Sequence, residues 1–358
     1  MQNSDSAGTR TARISTAEVR AVATAVTDPY IREQLEKRHE ELATVLSSPR
    51  AVGTARLHEL LHEVDSALER MVQGTYGVCE VCHDTVERER LIADPLVRLC
   101  LDHLTIEDRR ALEGDLELAA RIQRGLLPHT DVRSLDWHIL YDYKPAGLVS
   151  GDYCDLISPS GEHPGLMFLL GDVSGKGVAA SLLMSHLHAM FRSLAGAGLE
   201  LDKLLEVANR IFCESTIAGQ YATLICGRVR QGGEIEIASA GHSPALHAAK
   251  DGMEQISSTG VPLGMFSTSQ YEVERIRLQP GESLLLYTDG VSEARDSAGN
   301  EYGIAALSRL AGRGDGWQPQ ELLAACLKDV QNFSAGGARQ ADDQTLMVIH
   351  RVAPAELA

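Results

Sequence analysis

The stretch MFLLGDVSGKGVAASLLMSHL, residues 167–187, joins an apolar run to an acid, a glycine-rich turn and a helical pattern. The apolar run predicts a buried strand, and this strand leads directly into Asp172. A carboxylate that leaves water is costly unless it is paired or holds a cation. The stretch therefore raises the question of whether other acids lie near enough in the fold to share a cation with Asp172.

Three more segments place an acid beside a glycine or next to an apolar run. Asp152 follows a glycine in VSGDYCD, and Asp289 follows an apolar run in LLLYTDGVSEA. Asp342 and Asp343 precede the last apolar run in ADDQTLMVIH. A single Asp-Gly pair usually marks a turn, but four such segments favour a shared site at one edge of the sheets. An all-oxygen ligand set suits Mg²⁺ or Mn²⁺, and two such ions activate water and hold a phosphoryl group.

The chain of 358 residues carries a formal net charge of −17, which argues against nucleic-acid binding by the chain as a whole. Its length predicts two domains. No apolar run approaches the roughly 20 residues that span a bilayer, so no membrane segment is expected. Residues 1–27 lack the apolar core of a signal peptide, and we expect a flexible leader there. Seven cysteines, an odd number, fit a reducing, cytoplasmic setting.

Two apolar stripes at helical spacing, separated by SSPRAVG, predict an antiparallel helical hairpin over residues 28–73. The next segment carries two ligand pairs, each with two residues between its members: Cys79 with Cys82, and Cys100 with His103. Paired ligands at this spacing indicate one Zn²⁺. Residues 28–104 are therefore predicted to form a hairpin with a small zinc finger. The sequence leaves open whether the zinc is structural or redox-sensing.

A further amphipathic helix is predicted within a linker, residues 105–129, where Thr105 and Asp108 resemble a capping box. This helix would serve as a signal relay, a passive spacer or a dimer seam. A homodimer through the N-terminal and linker helices is therefore one of the open alternatives.

Residues 130–358 are predicted to form an α+β domain with antiparallel sheets, because short strands cluster with few helices between them. The predicted strands are residues 137–143, 166–170, 221–229, 234–239, 283–287 and 345–352. The predicted helices are residues 178–194, 201–217 and 318–331.

The hairpin followed by GTYGVCEVC and ERLIADPLVRLCLDH resembles the TraR/DksA zinc-finger family over residues 54–104. His83 stands where that family usually has glycine, and His103 replaces the usual fourth cysteine. The hairpin tip LSSPRAVGTAR lacks the acidic pattern by which relatives probe RNA polymerase. The resemblance therefore favours a structural or regulatory zinc module over a transcription-associated zinc-finger protein.

An ordered set of motifs over residues 118–351 resembles the metal-dependent serine/threonine protein phosphatases of the PPM family, in their bacterial SpoIIE/RsbU-like branch. These motifs are ARIQRGLLP, KPAGLVSGDYCD, GDVSGKGVAASLLM, ATLICGRV, ASAGHSPAL, GVPLG, LLLYTDGVSEA and DDQTLMVI. The resemblance implies a two-sheet antiparallel β-sandwich flanked by helices, with two Mn²⁺ or Mg²⁺ ions at its edge. It implies metal-binding and catalytic roles for Asp152, Asp172, Asp289, Asp343 and the carbonyl of Val173. In this scheme Asp172 bridges both ions, and Asp152 holds one of them mainly through water.

Other polar residues near these motifs have weaker assignments. Asp155 and Asp342 are secondary candidates that would support the ligands. Lys176 stands where many relatives carry histidine, and it would either bind phosphate or cap the turn. A structural hydrogen bond is favoured over catalysis for His242, and the proton donor to the leaving serine is not assigned. Packing or surface roles are predicted for His186, His188, Cys154, Cys213, Cys226 and Cys326.

The resemblance implies a protein-serine/threonine phosphatase that is regulated by its zinc module. By the same resemblance, its substrate is a phosphorylated signalling protein of the anti-sigma-factor-antagonist type. A catalytically degenerate phosphatase-fold scaffold is the first alternative, and a transcription-associated zinc-finger protein is the second. A two-metal phosphodiesterase is disfavoured, because that chemistry usually recruits histidine ligands and the acid set contains none.

Overall fold

The structure is a computed structural model, which describes residues 29–47, 54–103, 106–158, 165–217, 219–250, 252–312, 317–335 and 340–353. These residues form two compact units, and the division falls between Glu113 and Gly114. We describe each unit by itself.

The first unit contains the predicted helical hairpin, which the structure confirms. Helix α1 is Pro29–Leu46, α2 is Thr54–Gln73, and the short helix α3 is Arg88–Ala93. The two long helices pack through one apolar cluster that continues into the cysteine-rich segment: Ile31, Leu35, Val64, Ala67, Met71, Tyr76, Cys79, Val86, Leu91 and Cys100. Hairpin and cysteine segment therefore share one core. The hairpin tip, residues 48–53, lies outside the described residues.

Helix α4, Ile106–Leu126, corresponds to the predicted linker helix. The division between the two units falls inside this helix. Thr105 lies outside the described residues, so the predicted capping box at its start stays a prediction.

The second unit is built from two antiparallel sheets, which confirms the predicted fold class. Its strands are β1 (Asp131–Ser134), β2 (Trp137–Lys144), β3 (Asp152–Ile157), β4 (Leu166–Val173), β5 (Ala222–Val229), β6 (Glu234–Ala240), β7 (Ala245–Ala249), β8 (Gly252–Ile256), β9 (Glu274–Arg277), β10 (Ser283–Tyr287) and β11 (Gln344–Arg351). The first sheet has the order β1-β2-β11-β10-β7-β8, and the second has the order β3-β4-β5-β6-β9.

Helices cover the outer face of each sheet. Helix α5 (Gly177–Leu194) and α6 (Leu201–Ser215) pack on the second sheet, where they share one apolar cluster with β3, β4 and β5. Helix α8 (Ile304–Ala311) and α9 (Pro319–Ser334) pack on the first sheet against β10 and β11. The short helix α7, Asp289–Ser292, follows β10 after Thr288 alone. The result is a four-layer arrangement with the sheets in the middle.

Strand β4 shows why the opening stretch is apolar on both sides. Leu166, Phe168 and Leu170 point into the cluster between the two sheets, whereas Met167 and Leu169 point into the cluster beneath α5 and α6. Alternate side chains of a strand point to opposite faces, and here both faces are covered. The sequence of a strand that is buried on both faces is therefore a continuous apolar run.

All nine predicted elements of this unit are present, as β2, β4, β5, β6, β10, β11, α5, α6 and α9. The sequence patterns did not predict β1, β3, β7, β8, β9, α7 or α8. Strand β3 was missed because its sequence, DYCDLI, contains two acids, which interrupt the apolar pattern expected of a buried strand. The other missed strands are four or five residues long.

Replacing Phe168 with alanine is expected to lower the free energy of unfolding of the second unit by about 3–5 kcal/mol. Its ring is fully buried between the sheets, so the truncation would leave a cavity. Both tryptophans, Trp137 and Trp317, lie in this unit, and their fluorescence during urea unfolding reports on it. Leu182→Ala is the control, since Leu182 is 66% exposed and its truncation should cost less than about 0.5 kcal/mol. Equal losses for the two variants would contradict this core.

Candidate metal centres

The first unit brings together the four predicted zinc ligands. Ligand atoms of Cys79, Cys82, Cys100 and His103 all lie within 4.8 Å of one another. Cys82 Sγ is 3.6 Å from Cys100 Sγ, which is 3.2 Å from His103 Nδ1. Three sulfurs and one imidazole nitrogen at these separations fit a tetrahedral zinc ion.

Two local turns present these ligands. The amide of His83 donates to the carbonyl of Cys79 at 3.0 Å, and His83 adopts a left-handed conformation with φ 61°. A glycine would hold this position without steric cost, which explains the residue type usual in the resembled family. The amide of His103 likewise donates to the carbonyl of Cys100 at 3.0 Å. Each turn folds one pair of ligands onto the same point.

The chemistry of Cys79 favours metal binding. Burial alone would raise the pKa of its thiol, but backbone hydrogen bonds from Cys100, Cys82 and Val81 lower the pKa to about 6. The thiolate is the form of cysteine that binds zinc. The donor set therefore fits the predicted ion in element and number.

The second candidate centre lies where strands of the two sheets end together. Asp152 at the start of β3 is the direct partner of Asp172 near the end of β4. Asp289 begins α7 and is separated from β10 by Thr288 alone, and Asp343 immediately precedes β11. Strands β10 and β11 are neighbours in the first sheet. The sheet topology thus brings together acids that are far apart in the sequence.

Asp152 is the most deeply buried of these acids, with 1% of its surface exposed. Its Oδ2 accepts hydrogen bonds from Thr345 Oγ1 at 2.5 Å and from Thr288 Oγ1 at 3.0 Å. The amide of Thr345 in turn donates to Thr288 Oγ1 at 3.0 Å. Asp152 belongs to the second sheet and Thr345 to the first, so this network joins the two sheets beside the site.

Asp343 is held by backbone amides instead of side chains. Its Oδ1 accepts from the amide of Ala146 at 2.7 Å, and its Oδ2 accepts from the amide of Gly151 at 2.8 Å. Each carboxylate oxygen has a second lone pair, which stays available for a cation. The two amides therefore fix the orientation of this carboxylate without using all of its acceptor capacity.

Gly151 keeps a space open at the centre of the site. A Cβ at this position would lie 3.2 Å from the carbonyl oxygen of Val173 and 3.4 Å from Oδ1 of Asp172. These are two of the predicted ligand atoms. Gly290 has a different role, because a Cβ there would collide with the carbonyl oxygen of Asp343. Only glycine allows α7 and the segment before β11 to approach this closely.

The acids raise one another's pKa. Burial and then the charges of Asp289, Asp342 and Asp343 raise the pKa of Asp172 to about 7. The pKa of Asp152 is also raised, first by burial and then by the charge of Asp172, against the opposing effect of its two threonine donors. Burial and the charge of Asp342 raise the pKa of Asp289. Such mutual repulsion is what bound cations would relieve.

The carboxylates are spaced more openly than the zinc ligands. Among the described residues, the cysteine–histidine set is the one group of three or more such side chains whose ligand atoms all lie within 4.8 Å of one another. Two ions that share a bridging ligand do not require all donors in a single sphere. The all-oxygen donors, the space beside Gly151 and the mutual repulsion together fit Mg²⁺ or Mn²⁺.

The two secondary acids have different surroundings. Asp155 lies three positions from Asp152 on β3 and so faces α5 instead of the other sheet. Arg192 donates to both of its oxygens, at 2.8 and 2.6 Å, which makes Asp155 one half of a structural ion pair. Asp342 Oδ2 instead lies 2.9 Å from Lys176 Nζ. Lys176 also donates to the carbonyl of Ala341 at 2.7 Å, so a cation stands next to the acid set.

The histidines near the site take part in structural contacts. His242 is buried, its Nδ1 is 2.9 Å from Thr223 Oγ1, and burial lowers its pKa to about 4. His186 Nε2 is 2.8 Å from Ser215 Oγ, and His188 Nδ1 is 3.4 Å from Asp155. A neutral, buried His242 matches the structural hydrogen bond that the sequence favoured.

Sequence reasoning missed the residues that hold the acids. Thr288 and Thr345 stand next to predicted ligands in YTDG and DDQT, which was a usable signal. Gln123 on α4 had no such signal. Its side chain donates to the carbonyl of Ser150 at 2.7 Å and accepts from the amide of Ser150 at 3.0 Å. This paired contact links the end of α4 to the segment that leads into Asp152.

The two-sheet fold with its acidic edge defines the class of protein. A family model described as Stage II sporulation protein E (SpoIIE) matches residues 162–352, and a model described as prokaryotic dksA/traR C4-type zinc finger matches residues 74–102. Because the first match spans more than half of the chain, the protein belongs to the SpoIIE family. Both predicted resemblances are confirmed.

Known proteins are similar to parts of the chain. The protein IcfG of Synechocystis sp. is 25% identical over 266 residues, which are 66% of this chain and 41% of that protein. The phosphoserine phosphatase RsbU of Bacillus subtilis is 26% identical over 202 residues, which are 55% of this chain and 59% of that protein. The chain therefore spans about half the length of these curated relatives.

Solved structures share the fold of the second unit. The RsbU and RsbW domains of Rv1364c from Mycobacterium tuberculosis align with a TM-score of 0.52 and 26% identity, covering 63% of each chain. The SiaA-PP2C domain of Pseudomonas aeruginosa aligns with a TM-score of 0.58 and 18% identity, covering 68% of this chain and 97% of that one. The second likeness shows a PP2C-type fold alone. Among the described helices, none has the length and apolar character needed to span a bilayer.

Replacing Cys82 with serine is expected to remove zinc from the protein, because a hydroxyl is a poor substitute for one of four soft ligands. The measurement is zinc per chain by plasma mass spectrometry after extensive dialysis. Cys213→Ser is the matched control, since Cys213 is a free cysteine in the other unit, and it should keep one zinc per chain. Retention of zinc in the Cys82 variant would show that the ligand set is wrong.

Replacing Thr345 with valine is expected to weaken Mn²⁺ binding by about 10–100-fold, the usual effect of losing a group that orients a metal ligand. The change removes the hydrogen bond to Asp152 while it keeps the shape of the side chain. Calorimetric titration with Mn²⁺ gives the affinity without any need for activity. Thr216→Val is the control, because the Thr216 hydroxyl donates only to the carbonyl of Phe212 at 2.7 Å. Equal affinity in both variants would mean that Thr345 does not position a ligand.

Proposed function

We propose that this protein is a metal-dependent protein-serine/threonine phosphatase, which hydrolyses phosphoserine or phosphothreonine on a signalling protein. The observation that carries the proposal is the meeting of Asp152, Asp172, Asp289 and Asp343 at one end of the sandwich. Membership of the SpoIIE family supports it, as does the likeness to a phosphoserine phosphatase.

In the proposed site, Asp172 and the carbonyl of Val173 would hold two Mn²⁺ or Mg²⁺ ions, with Asp152 serving one ion and Asp289 and Asp343 the other. When bound, such ions lower the pKa of water and withdraw charge from phosphoryl oxygens. The remaining contributions come from side chains and backbone groups of the chain itself.

The threonine donors fix Oδ2 of Asp152 and so orient its carboxylate beside Asp172. The amides of Ala146 and Gly151 keep Asp343 aimed at the same point. Lys176 is anchored by Asp342, so its ammonium stands where an incoming phosphate monoester would need a positive charge. Of the two roles that the sequence left open for Lys176, we therefore propose phosphate binding.

The proposed substrate is a phosphorylated protein of the anti-sigma-factor-antagonist type, by analogy with the resembled branch. A cytoplasmic location is proposed as well, and the seven free cysteines support it, because disulfides form mainly in oxidising compartments. Regulation by the zinc module would pass through α4, whose residue Gln123 contacts Ser150 on both of its backbone groups. Ser150 lies two positions before Asp152, so α4 is tied to the strand that carries a proposed ligand.

Replacing Asp172 with asparagine is expected to reduce Mn²⁺-dependent phosphate release from a phosphoserine protein by roughly 100-fold or more, because the bridging charge is lost. Phosphate is measured by a colorimetric assay with saturating Mn²⁺. Glu272→Gln is the control, since it makes the same carboxylate-to-amide change at an exposed loop position and should leave the rate unchanged.

Unchanged turnover in the Asp172 variant would refute the proposed site. If the unmodified protein binds Mn²⁺ but releases no phosphate from any phosphoprotein or aryl phosphate, the scaffold alternative would replace the enzymatic one.

A further inference from the structure

A pocket of about 730 Å³ opens beside the carboxylate site of the second unit. It lies between the outer face of β2 and β11 and the C-terminal half of α9. Its rim includes Lys176, Gly290 and Asp342, so it borders the proposed catalytic site directly. The volume is that of a ligand-binding pocket, and the mechanism proposed above makes no use of it.

One wall of the pocket is apolar. Leu327 and Val330 of α9 line it, and Leu327 keeps part of its surface exposed. Cys326 and Leu346 lie behind this wall and are almost fully buried. Val291 and Ala294 extend this wall toward the carboxylate site. A side chain with an aliphatic stem would bury its methylene groups here.

A carboxylate stands in this apolar setting. Asp142 of β2 is the register partner of Leu346, and its side chain is on the outer face of the sheet, in the pocket lining. No described residue donates a hydrogen bond to this carboxylate, and burial raises its pKa. The Asp142 oxygens remain open to solvent in the pocket, so a cationic ligand would replace water there and form a charge-assisted hydrogen bond.

The other charges of the pocket match this carboxylate only in part, because Lys144 is the one base of the described lining whose charge lowers the pKa of Asp142. Lys176 is paired with Asp342 at 2.9 Å, and Arg295 is paired with Glu301 at 2.6 Å. The remaining charged groups of the lining are two acids against one base: Asp142, Glu293 and Lys144. The surplus is therefore negative, although the adjoining site is proposed to bind an anionic phosphate.

We propose that this pocket receives a basic side chain, arginine or lysine, from the polypeptide that carries the phosphorylated residue. The aliphatic stem would lie along Leu327 and Val330, and the cationic end would pair with Asp142. Because the pocket borders the carboxylate site, the basic residue would stand within a few positions of the phosphoserine, at about 3.3–3.6 Å of extended chain per residue. The proposal rests on the proposed phosphatase function and adds a rule for substrate choice.

The test uses phosphoserine peptides in which one arginine is moved in turn through the positions on either side of the phosphoserine. Each peptide is matched with a copy that has citrulline in place of arginine, which keeps the shape and removes the charge. The quantity measured is kcat/KM for the full-length protein with Mn²⁺. We expect a preference for arginine of about tenfold or more at one position, the size of a charge-assisted hydrogen bond.

In Asp142→Asn this preference is expected to fall to within about twofold, since the amide keeps the volume and loses the charge. Asp142→Glu should retain most of it. Hydrolysis of p-nitrophenyl phosphate, which has no flanking residues, should be the same in both variants and in the unmodified protein. Glu272→Gln, at an exposed loop position, should keep the full preference.

Equal rates for arginine and citrulline peptides at every position, with normal hydrolysis of p-nitrophenyl phosphate, would overturn the pocket proposal and leave the phosphatase proposal intact. An arginine preference that survives in Asp142→Asn would also overturn it, because the charge would then be recognised elsewhere. Failure of the unmodified protein to hydrolyse either kind of substrate would overturn both proposals.

Discussion

The burial of Asp152 between the two sheets is the constraint on which the carboxylate site depends. A buried carboxylate must be satisfied by hydrogen bonds or by a cation. Thr288 and Thr345 satisfy one oxygen from the opposite sheet, so the edge of one sheet cannot shift against the other without exposing an unpaired charge. The same network joins the end of β10 to the start of β11, next to Asp289 and Asp343.

Alternation along β3 separates two acids that look equivalent in the sequence. Asp152 faces the other sheet, and Asp155 faces α5, where Arg192 donates to both of its oxygens. Asp155 therefore forms an ion pair with a helix, while Asp152 lies beside Asp172 at the edge of the sandwich. The family motifs favoured Asp152 over Asp155 as a ligand. The three-residue spacing on a strand independently predicts that the two acids lie on opposite faces.

The two candidate centres differ in how far the sequence could predict them. The zinc ligands come in local pairs, and each pair is folded by a single turn, so spacing alone identified all four. The acids come from four segments whose meeting depends on strand order, and their residue types became interpretable only through the ordered motifs of a family. Thr345, Gln123 and Asp142 were not identified, because their importance comes from neighbours across strands or on another element.

The acidic edge and the adjoining pocket would bind different parts of a ligand, because each site is built from different neighbouring elements. At the edge, glycines exclude side chains from the space between the acids, and backbone amides hold Asp343, so the site presents an open, negatively charged cradle. In the pocket, α9 supplies apolar side chains and β2 supplies Asp142, so the site combines an apolar wall with a negatively charged group. A phosphate carried on a bare small molecule would use only the first of these surfaces. A phosphorylated polypeptide with a nearby basic side chain would use both, and discrimination among phosphoproteins would then arise outside the groups that carry out the chemistry.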